Sequence, residues 1–352
     1  MGAIREKPVS EGILRKVQLT GGATLIVSLP KEWVKKVNLK PGDYVVIVPQ
    51  PDNSLKISLA REGKVGFETV LKITPRMSPA IALREFVARY LLGYNTIKVV
   101  LADETRKQRE IIRDYMARSL IGVEIVEEAK NLMVVQCLAG YSELPLKTAL
   151  RRMSSTTYHM ISDVISNIKE PNFESLDDIV KRDDDVDKFY LYIVRQMNLV
   201  ALGLILPYEV GLSNIRESID YVMISKSIER IADHVVRIAE SLKKLVSENL
   251  KLDDKIRDAI YEYGNYVLEL YLSAIKALFK KDSITAHDVI DRSWEMRVME
   301  DNILKYILYS GGDVAGKALS LRIILESFKR IGFYSMDISE HVISLLLEPP
   351  RK

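Results

Sequence analysis

Between Asp220 and Leu245 the chain reads DYVMISKSIERIADHVVRIAESLKKL, and its apolar residues Ile224, Ile228, Ile231, Val235, Ile238, Leu242 and Leu245 recur at alternating spacings of four and three. That is the packing seam of an amphipathic helix, which must press against other helices. Moving the seam on by one hundred positions gives Ile324, Phe328, Ile331, Ser335, Ile338, Val342 and Leu345, apolar at six of seven places. The helix is therefore one copy of an internal repeat. At roughly 100° per residue, Glu229, Asp233 and Glu240 fall opposite the seam and within about 40° of one another, so the spacing predicts an outward stripe of carboxylates.

Composition bounds what surrounds this repeat. A chain of 352 residues has room for two or three domains, and 47% hydrophobic with 28% charged residues suits packed, globular folds. No apolar run approaches the roughly 20 residues needed to span a bilayer, and the N-terminus MGAIREKPVS lacks the apolar core of a signal peptide. A cytoplasmic protein without membrane insertion is expected. The single cysteine, Cys137, excludes an internal disulfide and reads as a buried core thiol. Charge is uneven: residues 1–62 carry ten Lys/Arg against six Asp/Glu, whereas ESLDDIVKRDDDVD at 174–187 is acidic. The two ends suit different partners.

The wording IERIADHVVRIAE at 228–240 resembles the signature of the PhoU family, prokaryotic regulators of phosphate uptake built from two tandem three-helix bundles. The resemblance spans roughly 147–346. It implies an all-α carboxy-terminal part with one bundle at 146–248 and a second at 254–348. The helices are read as 146–168, broken near Pro171, then 175–204 and the seam helix; in the second bundle they are 255–279, 283–309 and 318–347.

At the other end, 12–60 reads as strand, strand, short helix, strand, strand. Leu25, Val27 and Leu29 alternate like a half-buried strand, Pro30 opens the helix KEWVKKV, and Pro41-Gly42-Asp43 leads into strands at 44–48 and 55–59. So small a unit is marginal alone, and interleaving with a second copy would supply the missing core. GILRKV at 12–17, the Pro-initiated helix with Lys35-Lys36 and the LKPGD turn at 39–43 resemble the SpoVT/AbrB swapped-hairpin family. The resemblance implies an intertwined homodimer that binds DNA through a basic face. Phosphate contacts are then expected at Arg15, Lys16, Lys31, Lys35 and Lys36. Gly22-Ala23-Thr24 stands where family members often place an arginine after the hairpin glycine. The same lysines also fit a plain solvated face on a dimerisation head.

Residues 64–140 alternate between the two periodicities as βαβαββ, an α+β module with helices over one face of a sheet, read as a spacer or a small-molecule sensor. The whole chain is thus expected to be multidomain: β-rich head, α+β middle, all-α tail.

The PhoU resemblance also implies metal binding by acidic pairs four apart on neighbouring helices. Here Asp183 and Asp187 would face Glu229 and Asp233. Carboxylates at that spacing share a helical face, and their hard oxygens suit magnesium, manganese or iron, with calcium possible by ligand type and zinc disfavoured. The alternative is a solvated acidic face paired with Arg182, Arg230 or Arg237. In the second bundle Lys329 and Phe333 take the places of Glu229 and Asp233, with Ser293 and Arg297 opposite, so a site is expected in the first bundle only.

GGDVAGK at 311–317 spells a phosphate-loop motif, but Ala318 replaces the hydroxyl residue and a helical stretch precedes it; it reads as an interhelical turn, with no nucleotide cofactor. No Glu-x-x-His pair accompanies His159, His234, His287 or His341, and of these His234, beside Asp233, is singled out. Trp33 and Trp294 read as core. No catalytic residue is assigned. The expected function is a DNA-binding regulator whose tail senses or relays phosphate status; the alternative is an adaptor that docks on a phosphate transporter or signalling protein without touching DNA.

Overall fold

A computed structural model of the chain describes residues 13–49, 54–59, 67–138, 143–309 and 315–348, save the side chains of 308 and 315. It divides into two compact units, one amino-terminal as far as Val65 and one from Gly66 to Pro349.

The amino-terminal unit has the predicted order: β1 (Gln18–Thr20), β2 (Thr24–Ile26), α1 (Lys31–Val37), β3 (Val45–Pro49) and β4 (Leu55–Leu59). β1 pairs with β2 and β3 with β4, both antiparallel, as two separate ribbons. Asn38 stops α1 in the left-handed conformation, where asparagine is tolerated. The expected half-buried strand through Leu29 is shorter and more exposed than its alternation suggests. β2 ends at Ile26, and Leu25 is 69% exposed. No residue described in this unit is buried; Trp33 reaches only half-burial. Residues 12, 50–53 and 60, which fall within the expected head, lie outside the described residues.

The second unit begins with the βαβαββ module: β5 (Glu68–Ile73), α2 (Pro79–Leu91), β6 (Thr96–Leu101), α3 (Arg106–Ser119), β7 (Val123–Ala129) and β8 (Leu132–Cys137). Its sheet runs β5-β6-β8-β7, with β5 and β6 parallel and the other pairings antiparallel. Leu71, Ile73, Ile97, Val99, Met133 and Val135 point to one face, where Phe86 and Tyr90 of α2 and Ile112 and Met116 of α3 complete a core. Cys137 borders that core and is only partly buried.

Seven helices follow among the described residues: α4 (Leu146–Lys169), α5 (Phe173–Ala201), α6 (Glu217–Ser247), α7 (Asp254–Lys280), α8 (Ser283–Ser293), α9 (Met296–Tyr309) and α10 (Ala315–Leu346). All seven seam residues of α6 are buried, as are six of their seven counterparts on α10, Leu345 being partly so. At about 1.5–3 kcal/mol for each fully buried large aliphatic side chain, this seam is a principal source of the tail's stability. Asn172 caps α5 by accepting from the Ser175 amide at 3.0 Å. α4–α6 and α7–α10 share one continuous core.

The helix expected over 283–309 is broken into α8 and α9. Met296 fills the space over Gly332 on α10 so closely that a Cβ there would sit 2.0 Å from its sulfur. The chain turns at Trp294 and Glu295 to drive that side chain inward, and the Tyr266 hydroxyl takes up the Arg292 carbonyl at 2.9 Å. Trp294 is left half exposed at the turn instead of in the core. Of the GGDVAGK stretch, 311–314 lie outside the described residues, while Gly316 and Lys317 are already helical.

Candidate functional site

α5 stands between two neighbours. One side packs on α4 and α6; the other carries Leu191, Arg195 and Asn198 against the α+β module. Arg195, 6% exposed, donates to the carbonyl of Tyr90 and, at 3.2 Å, to that of Gly93, while Asn198 Nδ2 donates to Leu91 O at 2.9 Å. These carbonyls lie at and just beyond the end of α2, where helical partners run out; that of Tyr90 also accepts from the Gly93 amide at 3.1 Å. The module is therefore docked on the first bundle, more than the spacer role requires. The periodicity gave no sign of this, because an arginine on a helix is ordinarily solvated.

The four acidic residues expected to act together come from α5 and α6. Burial first, then the negative charges of Asp187, Asp233 and Glu229, push the Asp183 carboxyl up to about 7. Burial followed by Glu229 and Asp233 raises Asp187 to about 6. Asp183 and Asp187 on α5 thus both face the charges of Glu229 and Asp233 on α6. Glu229 is turned toward α5 and is only 12% exposed, so the stripe it shares with Asp233 is not wholly outward. α5 covers its first part. Asp183 Oδ1 and Glu229 Oε2 are buried without a hydrogen-bond partner.

Basic side chains already work on this surface. Lys226 Nζ lies 2.6 Å from Glu229 Oε1 and rests over the Tyr190 ring, and Arg230 reaches Asp233 at 3.4 Å. Arg182 turns away to Asp163 and Asp178. Among the described residues no three His, Cys, Asp or Glu side chains converge closely enough to hold a metal ion. On α3, burial and then the charges of Asp187 and Asp184 raise the Tyr115 hydroxyl, so the α+β module abuts the acidic site. Lys226 and Tyr115 were not read from the sequence; Lys226, three residues before Glu229, was a legible signal. His234 does not join Asp233: its Nδ1 lies 3.3 Å from Ser327 Oγ on α10.

The second repeat places different groups at the same positions. Lys329 Nζ pairs with Glu300 at 3.0 Å and Glu326 at 2.7 Å, and Phe333 stacks edge-on against Trp294 with Arg297 over both rings.

In the head, Arg15 and Lys16 precede β1, and Lys31, Lys35 and Lys36 lie on α1; all five are exposed. Lys31 and Lys35, four apart, share one face of that helix.

Residues 150–242 and 260–342 each match the model of the PhoU domain. The chain belongs to the PhoU family. The two matched segments fall within the two bundles, so the hundred-residue repeat is the PhoU repeat. Residues 18–64 match a second model, described as antidote-toxin recognition MazE, bacterial antitoxin, which bears out the AbrB-like reading of the head. A phosphate-specific transport system accessory protein PhoU homolog of Clostridium acetobutylicum is 24% identical over 205 residues, 57% of this chain and 90% of its own. PhoU homolog 1 of Thermotoga maritima is also 24% identical over 205 residues, covering 56% of this chain and 84% of its own. The crystal structure of PhoU from Pseudomonas aeruginosa superposes with a TM-score of 0.51 at 18% identity, over 57% of this chain and 95% of that one. Among the described residues, no helix is long and apolar enough to cross a membrane.

Proposed function

We propose that this PhoU-family chain is a DNA-binding regulator of phosphate uptake, its head gripping DNA as a homodimer and its tail relaying phosphate status. The observation that carries the reading is an AbrB-like head with no buried side chain among its described residues, joined to two PhoU domains on one polypeptide. Leu25 at 69% exposure and Tyr44 at 82% leave an apolar surface that a second, interleaved copy would cover. Arg15, Lys16, Lys31, Lys35 and Lys36 then lie on a basic surface suited to the DNA backbone.

Asp183, Asp187, Glu229 and Asp233 are proposed to hold a magnesium, manganese or iron ion. The raised Asp183 and Asp187 carboxyls and the unpartnered Asp183 Oδ1 support a demand for positive charge there; among the described residues no three acidic side chains converge closely enough to hold an ion, so binding would have to draw them together. The ion would supply positive charge that holds α5 to α6. Lys226 and Arg230 supply part of that charge from the chain itself. Because α5 also carries the α+β module through Arg195, and Tyr115 of that module borders Asp187, a change in the acidic site bears directly on the module that follows the head in the chain.

A salt-dependent gel shift with DNA from upstream of phosphate-transport genes tests the reading. A specific complex that weakens steeply with salt is expected. No complex at low salt would leave the second reading, a transporter-docking adaptor, which is favoured by relatives named as accessory proteins of phosphate-specific transport.

A further inference from the structure

The repeat sets α6 and α10 side by side and antiparallel, so their crossing has two ends related by the hundred-residue shift. At one end Asp220, at the start of α6 and buried, accepts from His341 Nδ1 at 3.0 Å and from Ser344 Oγ at 3.2 Å. A carboxylate only accepts, so that histidine nitrogen carries the proton. Arg216 adds its charge 3.6 Å away. This end is closed by an anion of its own.

At the other end the shift puts Ser320 in the place of Asp220, Ser241 in that of His341 and Lys244 in that of Ser344. The three do meet, and with Arg237, Arg322 and Ser327 they line a cavity of about 420 Å³. Donors are gathered there as at the first end, and the built-in carboxylate is missing. Ser241, Ser320 and Ser327 are buried at its floor, where Ser241 Oγ donates to the Arg237 carbonyl at 2.8 Å and Ser327 Oγ lies 3.3 Å from His234 Nδ1, while the three cations are exposed at its rim. Among the described residues neither Arg237 nor Arg322 forms a salt bridge, and Lys244 has Glu248 only at 4.0 Å. Two acids also line the space. Glu326 is engaged by Lys329 and Arg330, which leaves Glu240 as the one carboxylate without a cation of its own among those lining residues.

We propose that this cavity binds the phosphate group of a small molecule, inorganic phosphate or a phosphate monoester, in the place that Asp220 fills at the opposite end. A tetrahedral dianion accepts from many directions at once, which matches two guanidinium groups, an ammonium and hydroxyls facing a shared space. The volume lies within the roughly 300–1,000 Å³ of ordinary small-molecule sites. The inference deepens the regulatory reading by naming what the tail senses, and rests on that reading only for its biological meaning.

Isothermal titration calorimetry on the full chain, at fixed ionic strength, tests it with inorganic phosphate and with adenosine monophosphate as probes. One saturable site per chain is expected. Phosphate saturating alone identifies the free ion as the ligand, and the nucleotide saturating alone identifies an ester. Arg322→Ala and Lys244→Ala should each weaken binding about tenfold, the scale of one lost charge-assisted hydrogen bond. Ser320→Asp, which supplies the carboxylate of the other end, should abolish binding and raise the midpoint of thermal unfolding. Neither probe binding at millimolar concentration would overturn the proposal, as would binding that all three substitutions leave unchanged. A protein that shifts DNA yet takes up neither probe keeps the regulatory reading and loses this one.

Discussion

Lys329 Nζ lies 3.0 Å from Glu300 Oε1, at the position in the second PhoU domain where the first carries Glu229. Each repeat thus meets its acidic groups with an ammonium from its own chain, Lys226 on Glu229 at 2.6 Å in the first and Lys329 on Glu300 and Glu326 in the second, while the first still leaves Asp183 Oδ1 buried without a hydrogen-bond partner. Between the two helices the charges are exchanged: Lys226 and Glu229 of the first stand where Glu326 and Lys329 stand in the second.

Lys329→Ala should therefore destabilise the tail. Glu300 is 14% exposed, and stripping its partner leaves it largely desolvated, at a cost of about 1–3 kcal/mol. Urea unfolding monitored by circular dichroism reads this directly; an unchanged midpoint would show the pair to be energetically idle.

The first repeat should show its charge through pH. Asp183 and Asp187 are raised to about 7 and about 6, above the roughly 3.9 of an unfolded aspartate. Between those limits the folded state holds protons that the unfolded chain has released, so these groups make stability fall as pH rises through the window and level off above it. His234, lowered to about 4, acts in the opposite sense below its ordinary value near 6.5. The comparison to make is accordingly wild type against Asp183→Asn, both in chelator. The variant should gain on wild type from about pH 4 upward and hold a constant lead above about pH 7. Manganese or magnesium at pH 8 should narrow that lead; a lead independent of pH would mean that Asp183 is not crowded by charge.

Gly93 tests the docking of the α+β module. Its φ is +99°, and a Cβ there would stand 2.5 Å from Leu199 Cδ2 on α5. Gly93→Ala combines backbone strain with overpacking and should cost about 1–3 kcal/mol. Thermal unfolding of the variant supplies the number, and a loss no larger than that of a surface alanine would show that Leu199 yields freely.

The head is tested through salt. Each lysine that contacts a phosphate adds about one unit to the slope of log affinity against log salt. Lys35→Ala and Lys36→Ala together should flatten that slope by about two and weaken all DNA sequences alike. A slope unchanged by both would remove α1 from the interface.

Where local pattern decides the outcome, the sequence was readable. The α6 seam is buried at each of its seven places, and the strands expected at 55–59, 96–101 and 132–137 form over those residues. Resemblance supplied the bundle and head families. What escaped depends on neighbours far away in the chain. The break at Trp294 answers to Gly332 through Met296; the turning-in of Glu229 answers to α5; Arg195 is buried only because the end of α2 offers carbonyls to it. In the head, alternation marked apolar side chains without telling what covers them, and β2 stops at Ile26, the partner of Gln18 at the start of β1.

The grip of Arg195 on Tyr90 and Gly93 has a practical corollary for anyone dissecting the molecule. Severing the polypeptide near 140, where composition suggests a seam between modules, would take from the end of α2 the guanidinium that holds its carbonyls and strip Leu191 of its cover. Expressed separately, those two pieces should aggregate, whereas a start at Gly66 leaves the shared helix clothed on both flanks.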